Sequence, residues 1–194
     1  MQPVIETARL HLRPRVLRDA ESCYRMNMEP DTLRWVDPPD TVGDWADEAA
    51  HRAFIRLSTT HLYPEGFGYW TLAPRSDPAG FLGWVVLIPE EMKGPEIEIG
   101  WRLPGAQRGK GYATEAARAI RDHGFAALGC TRIIADTYRA NRASGNVARK
   151  LGFREADDPE RSTPDYLLWE MTREMWQALP EQPAETTRQP RMPC

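Results

Sequence analysis

One stretch of the sequence, residues 96–128, constrains the fold more than any other. Its first part places β-branched residues such as Ile97 and Ile99 at alternating positions, which is the period of a β-strand. Its last part, from Ala113 onward, repeats small and apolar residues at helical spacing. The sequence therefore predicts a strand at 96–103, a tight turn, and then a helix.

The turn between strand and helix is rich in glycine, reading Gln-Arg-Gly-Lys-Gly-Tyr-Ala at residues 107–113. Glycines let successive backbone N–H groups converge at the start of a helix, where the helix dipole also places roughly half a positive charge. The turn therefore predicts a phosphate-binding site. It is not a P-loop, which needs Ser or Thr after its lysine, and Thr114 stands where a dinucleotide fingerprint needs its third glycine.

The pattern that fits the turn is R-x-x-G-x-A at residues 108–113, which resembles the acetyl-CoA pyrophosphate loop of the GNAT superfamily of N-acetyltransferases. Glu-Ile-Gly-Trp at 98–101 is similar to the strand that precedes this loop in the family. Asn-Arg-Ala-Ser at 141–144, followed by the Lys-Leu-Gly-Phe segment ending at residue 153, is similar to the family's downstream segment. The opening Thr-Ala-Arg-Leu-His-Leu-Arg-Pro at 7–14 resembles the Rim-type branch, which acetylates ribosomal-protein N-termini.

The resemblance, which covers roughly residues 5–176, implies acetyl-CoA as co-substrate and no metal. Pantetheine would pair with the backbone of the strand that precedes the loop, and the loop would hold the pyrophosphate. The cofactor contacts implied in this way are Trp101, Arg102, Leu103, Arg108, Gly109, Lys110, Gly111, Tyr112, Ala113, Asn141, Ser144 and Arg149. Arg149 and the neighbouring Lys150 would lie near the 3′-phosphate or on a solvated face.

Acetyl transfer to an amine requires a base, because an ammonium group has no lone pair, and it also requires a proton for the departing sulfur. Glu98 is the expected base, and Glu96 shares its strand face. Both would otherwise be solvated strand charges. Rim-type relatives suggest further rivals in the polar loop that follows; these are Asp157, Asp158, Glu160 and Asp165.

The acid is where the sequence departs from the wider family. Many members carry a tyrosine seven residues after the asparagine, whereas Ala148 stands at that position here. Ser144 is therefore expected to hydrogen-bond the sulfur, as in Rim-type members, while Asn141 holds the pantetheine amides. The structural alternative makes Asn141 a turn residue and Ser144 a helix N-cap.

The expected acceptor is a protein N-terminus, which the Rim-type resemblance favours, or a small cationic amine. A cluster of acids in the segments expected around the acceptor predicts attraction of cations; it consists of Asp31, Asp37, Asp40, Asp44, Asp47, Glu48, Asp157, Asp158, Glu160 and Asp165. Trp35 and Trp45 either fill the core or line this acceptor cleft. Two alternatives stay open, a non-catalytic acyl-CoA-binding module and a transferase that uses another donor such as succinyl-CoA.

Composition sets the class of protein. The chain has 194 residues, 41% apolar and 27% charged, which fits a single globular domain, expected at 1–179, with a disordered tail at 180–194. A net charge of −3 without a basic cluster argues against nucleic acid as a ligand. Three scattered cysteines and the lack of a long apolar run predict a cytoplasmic protein that does not enter membranes. A homodimer is left open.

Periodicity predicts an α/β (α+β) fold. Helices are expected near 19–28, 42–58, 113–128, 144–151 and 174–179, and strands at 5–13, 68–73, 81–88, 96–103, 132–137, 153–156 and 166–171. This order indicates a mixed, mostly antiparallel sheet of about seven strands with helices on both faces. The family resemblance adds that the sheet should splay at its centre, between the strands at 96–103 and 132–137.

Overall fold

The computed structural model describes residues 1–35, 47–92, 94–158 and 161–180. Eight strands lie in this part of the chain: β1 (Ile5–Glu6), β2 (Leu10–Pro14), β3 (Gly68–Pro74), β4 (Gly83–Pro89), β5 (Ile97–Arg102), β6 (Arg132–Tyr138), β7 (Arg154–Glu155) and β8 (Tyr166–Thr172). The α-helices are α1 (Ala20–Asn27), α2 (Pro30–Leu33), α3 (Glu48–Thr60), α4 (Tyr112–Ala126), α5 (Arg142–Leu151) and α6 (Arg173–Gln177).

The eight strands form one sheet in the order β1-β2-β3-β4-β5-β6-β8-β7. Neighbouring strands are antiparallel except for β5 and β6, which run parallel and are in register through one pair of described residues, Glu98 and Ile134. Beyond this pair the two strands separate toward their carboxyl ends. The mixed, mostly antiparallel α/β fold is thus confirmed, with its centre opened as the resemblance implied.

The additional strand comes from the opening segment. Residues 5–13 were expected to form one strand, but they fold back as a hairpin in which Ile5 pairs with Leu12. The turn is closed locally, because the Thr7 N–H donates to the Leu10 carbonyl and the Leu10 N–H donates to Thr7 Oγ1. Side-chain bonds of this kind compete with extended strand pairing, which alternation of apolar residues does not reveal.

Two other boundaries differ from the sequence prediction. After α1 ends as predicted, a short helix that the sequence did not predict, α2, begins at Pro30, in a position where the missing N–H of proline is not needed. The second long helix begins at Glu48 with Asp47 as its N-cap, and the Asp47 carboxylate accepts the Ala50 N–H at 3.0 Å. The expected helical residues 42–46 and Trp45 lie outside the described residues, as do residues 181–194 of the expected tail.

Helices cover both faces of the sheet. Adjacent residues of a strand point to opposite faces, and Tyr69 and Trp70 of β3 illustrate this. The Trp70 ring packs against His123 of α4, with ring centroids 5.8 Å apart. The Tyr69 ring lies on the other face, where Arg15 bridges it to Ser58 of α3. The main apolar core lies on the face of the sheet that α4 covers. The opposite face, covered by α1 and α3, carries polar side chains such as Arg15 and Ser58.

Candidate active site

The loop between β5 and α4 has the backbone of an anion cradle. Gly109 and Gly111 adopt φ values of 75° and 83°, in the left-handed region that favours glycine. Gly111 is the N-cap of α4, and no side chain caps this helix. The N–H groups of the first helical turn therefore still need acceptors, which a pyrophosphate would supply. The residues present fit the group that the sequence predicts.

A network from the first hairpin braces this cradle from outside. Arg9 Nη1 donates to the Lys110 carbonyl at 2.9 Å, and the Arg9 guanidinium lies 4.8 Å from the centre of the Tyr112 ring. Glu115 of α4 accepts bonds from the Arg9 N–H, Arg9 Nε and Thr7 Oγ1. Burial opposes the charge of Glu115, but these bonds outweigh it and lower its pKa. The Thr-x-Arg segment thus positions the loop, a role that strand periodicity did not suggest.

The Arg108 side chain extends from the loop toward Thr32 of α2. Its Nε donates to the Leu103 carbonyl at 3.1 Å, and its Nη2 donates to Thr32 Oγ1 at 2.5 Å. Glu29, at the start of α2, accepts the Gly105 N–H at 2.7 Å. These bonds tie α2 to the cradle, so the loop is held from both sides.

The separation of β5 from β6 opens a cavity of about 980 Å³. Its wall contains nearly all the residues that the sequence predicted for the site; these are Glu98, Trp101, Arg102, Leu103, Arg108, Gly109, Gly111, Tyr112, Ala113, Asn141 and Ser144. Two predicted residues lie off the wall. Lys110 Nζ donates to Gln107 Oε1 at 3.0 Å, and the Arg149 guanidinium stacks 5.0 Å from the Trp169 ring centre. Lys150 does line the cavity.

Glu98 and Glu96, the two rival bases of β5, occupy different environments. Glu98 lines the cavity at the point where the strands part. Glu96 is not a lining residue, and its carboxylate is paired with Arg132 and Arg161. Because Glu96 is engaged by two guanidinium groups and lies off the cavity wall, the geometry favours Glu98.

The polar loop that offered other rivals is turned away from the cavity. Asp157, Asp158 and Asp165 do not line it, and Glu160 lies outside the described residues. The loop is fixed to the sheet by Arg161, which contacts Glu90, Glu96 and Asp136.

Asp136 of β6 is a cavity residue that the sequence reasoning missed. It lies two residues after Ile134, the partner of Glu98, so it faces the cavity from the opposite strand. Burial raises its pKa, although Arg161 Nη2 donates to its carboxylate at 2.9 Å. The segment was interpreted as a buried strand, and a single acid at one alternating position was the available signal.

Asn141, rather than Ser144, caps α5. Its side-chain oxygen accepts the Ser144 N–H at 3.2 Å, so the structural alternative in which Ser144 is the cap does not hold. The cap uses the backbone of Ser144, so the hydroxyl is not required for it. Both residues lie on the cavity wall.

The acids expected to surround the acceptor are mostly elsewhere. Asp31 lines the cavity, whereas the other described members, Asp47, Glu48, Asp157, Asp158 and Asp165, do not. Asp37, Asp40, Asp44 and Glu160 lie outside the described residues. The expected placement is therefore wrong for most of the described acids, because Asp47 caps a helix and Glu48 pairs with Arg52. Five arginines line the cavity instead, namely Arg15, Arg34, Arg102, Arg108 and Arg142.

Aromatic side chains form part of the cavity wall. Trp35 packs against Tyr138 with ring centroids 5.9 Å apart, and Tyr138 packs against Tyr166 at 4.5 Å. All three residues line the cavity, so Trp35 belongs to the cleft and not to the main core.

The described residues carry neither a metal-binding cluster nor a membrane-spanning helix. Within them, no group of three or more His, Cys, Asp and Glu side chains is arranged to hold a metal ion. None of the described helices combines the length and the apolar character needed to cross a membrane.

Comparison with known proteins agrees with this geometry. The acetyltransferase (GNAT) domain family matches residues 9–154. The FsC-acetyl coenzyme A-N(2)-transacetylase of Aspergillus fumigatus is 29% identical over 194 residues, covering 90% of this chain and 78% of that protein. The uncharacterized N-acetyltransferase YoaA of Bacillus subtilis is 28% identical over 156 residues, covering 80% of this chain and 85% of the relative.

Solved structures share the fold. The acetyltransferase from Agrobacterium tumefaciens superposes with a TM-score of 0.72 at 25% identity, over 88% of this chain and 95% of that one. RimJ of Mycobacterium smegmatis, solved in complex with CoA-disulfide, has a TM-score of 0.65 at 23% identity, over 90% and 91% of the two chains. With a family match over most of its length and N-acetyltransferases among its relatives, the chain belongs to the GNAT family and is an N-acetyltransferase.

Proposed function

We propose that the protein transfers the acetyl group of acetyl-CoA to a primary amine by direct attack within a ternary complex. The observation that carries this proposal is the continuity of the uncapped, glycine-built start of α4 with a cavity that Glu98 lines. The donor and a carboxylate base would thereby meet in one enclosed space.

The residues of the cradle and the open edge of β5 would hold the donor. The N–H groups from Gly109 to Ala113 face the pyrophosphate, and the backbone from Trp101 to Leu103 pairs with pantetheine. Asn141 approaches the pantetheine amides from α5. When bound, acetyl-CoA supplies a thioester carbonyl that an amine can attack without a covalent enzyme intermediate.

Glu98 and Ser144 divide the proton transfers. Glu98 takes a proton from the incoming ammonium, directly or through one water, and so generates the lone pair that attacks. The Ser144 hydroxyl, which the α5 cap leaves available, donates toward the departing sulfur. This assignment replaces the tyrosine that many family members carry where Ala148 stands.

Two acceptor classes are supported by different observations. The Rim-type opening favours a protein N-terminus, and a RimJ is among the structural relatives. The second class is a small amine, and the A. fumigatus relative, named FsC-acetyl coenzyme A-N(2)-transacetylase, supports transfer of an acetyl group to a nitrogen atom. The cavity volume of about 980 Å³ suits either a small molecule or the first residues of a peptide.

A thiol-release assay with acetyl-CoA and a panel of amines and N-terminal peptides tests the proposal. Turnover on any amine, lost in Glu98→Gln, supports it. Tight CoA binding with no turnover on any acceptor would instead favour a non-catalytic acyl-CoA-binding module. A parallel series with succinyl-CoA shows whether the enzyme uses acetyl-CoA or a donor that carries a longer acyl group.

We further propose that the protein works in the cytoplasm, as a monomer or a homodimer. Cys23 and Cys130 are buried free thiols, and burial raises the pKa of Cys23 to about 11, so it remains a neutral thiol. Such thiols suit a reducing compartment. Sedimentation velocity with and without CoA separates the two assembly states.

A further inference from the structure

Two arginines on the cavity wall, one buried and one half-buried, lack a carboxylate partner among the described residues. This arginine pair consists of Arg15, which follows β2, and Arg102, near the end of β5. Both line the cavity, and Arg15 is only 8% exposed. Within the described part of the chain, neither forms an ion pair, whereas Arg13 is bound to Asp19 at 2.7 Å.

The contacts of the arginine pair are neutral. Arg15 Nη2 donates to Ser58 Oγ at 2.7 Å, and Arg102 Nη1 donates to Asn27 Oδ1 at 2.7 Å. Arg15 Nε is buried with no hydrogen-bond partner among the described residues. A buried guanidinium cannot lose its proton readily, so its charge is costly until an anion compensates it.

Two aromatic rings form the floor under the arginine pair. The Arg15 guanidinium lies 3.7 Å from the centre of the Tyr69 ring, and Arg102 lies 4.9 Å from that of Trp84. The two rings meet edge to face with centroids 5.3 Å apart. This floor fixes both guanidinium groups on one side of the sheet, where their remaining donors can converge on a single ligand.

Two titratable groups beside the arginine pair, the Tyr69 hydroxyl and the Cys23 thiol, do not compensate its charge. Burial raises the pKa of the Tyr69 hydroxyl and that of the Cys23 thiol, so both groups are neutral at physiological pH. Burial, together with the positive charges of Arg15 and Arg108, lowers the pKa of Arg102 to about 10. An anion placed between the two arginines would relieve this repulsion.

From this geometry, and resting on the proposed acetyltransferase function, we infer that a carboxylate of a bound substrate occupies the space between Arg15 and Arg102. A carboxylate suits the planar, two-pronged guanidinium better than a spherical anion does. It has two chemical sources, the acceptor amine or the far end of the acyl donor. The acceptor of this enzyme would then be an amino acid or a related amino carboxylate, or the donor would be a dicarboxylic acyl-CoA.

The strand spacing gives the ligand a length. Glu98, Gly100 and Arg102 alternate along one face of β5, so the Cα atoms of Glu98 and Arg102 are about 13 Å apart at ~3.3 Å per residue. Because an arginine side chain spans part of this distance, a molecule that places its amine at Glu98 and its carboxylate at the arginine pair is a few bonds long. A series of ω-amino acids of rising length therefore serves as a ruler.

The test begins with binding, which does not require the acceptor to be known. Glutarate is titrated against the CoA-saturated protein at fixed ionic strength, and the melting temperature is recorded. Stabilisation is expected for the wild type and for Arg56→Gln, which removes an exposed arginine of α3. It should be lost in Arg15→Gln and in Arg102→Gln. Arg102→Lys keeps the charge but removes the fork, and should retain part of the effect.

Kinetics then distinguish the sources. In one arm, acetyl-CoA is combined with pairs of amines that differ by a carboxylate, from glycine and methylamine to 6-aminohexanoate and pentylamine. In the other arm, succinyl-CoA replaces acetyl-CoA with one fixed amine. We expect roughly tenfold or greater preference for the carboxylated member in one arm, since a charge-assisted bond is worth about that factor or more. The preference should collapse in Arg15→Gln and Arg102→Gln.

The outcomes separate this inference from the proposed function. Turnover without any carboxylate preference, and without glutarate stabilisation, overturns the arginine-pair site and leaves the acetyltransferase intact. Stabilisation by glutarate that depends on both arginines, without turnover on any amine, supports the site and overturns the proposed reaction. Circular dichroism of each variant shows whether a lost effect reflects unfolding. If Arg102→Gln does not fold, Arg102→Lys is compared with the wild type in its place.

Discussion

At the scale of single residues, Glu98 is the part of the proposed mechanism that one substitution tests most directly. Glu98→Gln keeps the size of the side chain and removes its basicity. We expect kcat to fall by roughly 10²–10⁴-fold, which is the usual contribution of general base catalysis. Acetyl-CoA affinity should be unchanged, because the cradle lies beyond the end of β5. Thiol release across a pH series, with calorimetry of CoA binding, measures both quantities.

Two neighbouring carboxylates provide the controls for this prediction. Glu96→Gln should affect stability more than kcat, because Glu96 is paired with Arg132 and Arg161 away from the cavity. Asp136→Asn tests the second carboxylate on the cavity wall. If the pH–rate profile survives in Glu98→Gln but is lost in Asp136→Asn, the base lies on β6 and the present assignment is wrong.

Residues of the candidate site could be predicted from the sequence where they belong to a local motif. They could not be predicted where the site depends on two segments that are distant in the sequence. Glu98 and Asn141 lie in short patterns whose spacing alone carries the resemblance. Arg15, by contrast, acquires its role from β3 and α3, far from it in sequence. Asp136 likewise faces the cavity because β6 leaves β5 after a single pair. No pattern of neighbouring residues indicates contacts of this kind between distant segments.

At the scale of elements, the glycine loop can be tested with a matched control. Gly111→Val places a β-branched residue at φ 83° with its Cβ 3.2 Å from Arg9 Nη2. The strain, of order 1–3 kcal/mol, would displace the N–H groups at the start of α4. We expect acetyl-CoA binding to be lost while the fold persists, as calorimetry and circular dichroism would show.

Gly129→Val is the control for that substitution. Gly129 has φ 73° and open space around its Cβ, so it takes similar backbone strain far from the cradle. The two variants should lose similar stability, but only Gly111→Val should lose CoA. Wild-type CoA affinity in Gly111→Val would mean that the pyrophosphate binds elsewhere.

The junction of β2, β3 and the first helical turn depends on Asp19. Its buried carboxylate accepts two bonds from Arg13 at 2.7 Å and one from Thr71 at 2.9 Å. Burial acts against the charge, but these bonds and the Val16 N–H prevail and lower its pKa. Asp19→Asn should therefore reduce the free energy of unfolding at neutral pH by about 3–5 kcal/mol, the usual cost of breaking a buried pair.

The pH dependence of this effect has a definite sign. A carboxyl whose folded pKa is lowered stabilises the fold above its unfolded pKa, and the contribution disappears as pH falls through the folded value. Urea denaturation should thus show the gap between wild type and Asp19→Asn closing below about pH 4. Glu21→Gln, which removes an exposed partner of Arg25 and Arg52, is the control and should change little at any pH.

Element types followed from periodicity more reliably than element ends. The strand–loop–helix unit at the centre was predicted with small errors, since α4 runs from Tyr112 to Ala126. The opening hairpin was predicted as one strand because Thr7 reverses the chain through its own side chain. Asp19 stands directly before α1, but its side chain caps no N–H of that helix, because its carboxylate is engaged by Arg13 from β2. Caps and turns are decided by such competing partners.

At the scale of the whole molecule, CoA binding should stabilise the fold by mass action. At a CoA concentration of 100 Kd, linkage predicts about 2.7 kcal/mol of added stability. Hydrogen exchange should slow most in residues 101–103 and 109–114, where backbone N–H groups face the donor. Mass spectrometry of exchanged peptides measures this pattern. Protection spread evenly over the chain would contradict a site between β5 and β6.

The single register pair between β5 and β6 has a consequence for solubility. Strand edges with unsatisfied N–H and C=O groups usually lie at the rim of a sheet, where another chain can add to them. Here a second pair of edges lies inside the sheet, flanked by β4 on one side and β8 on the other. Because both inner edges belong to strands that are already paired on their other side, a foreign strand would have to enter between β5 and β6 instead of adding to the rim. The unpaired backbone that faces the cavity is therefore less accessible to edge-to-edge aggregation than an outer strand of the sheet.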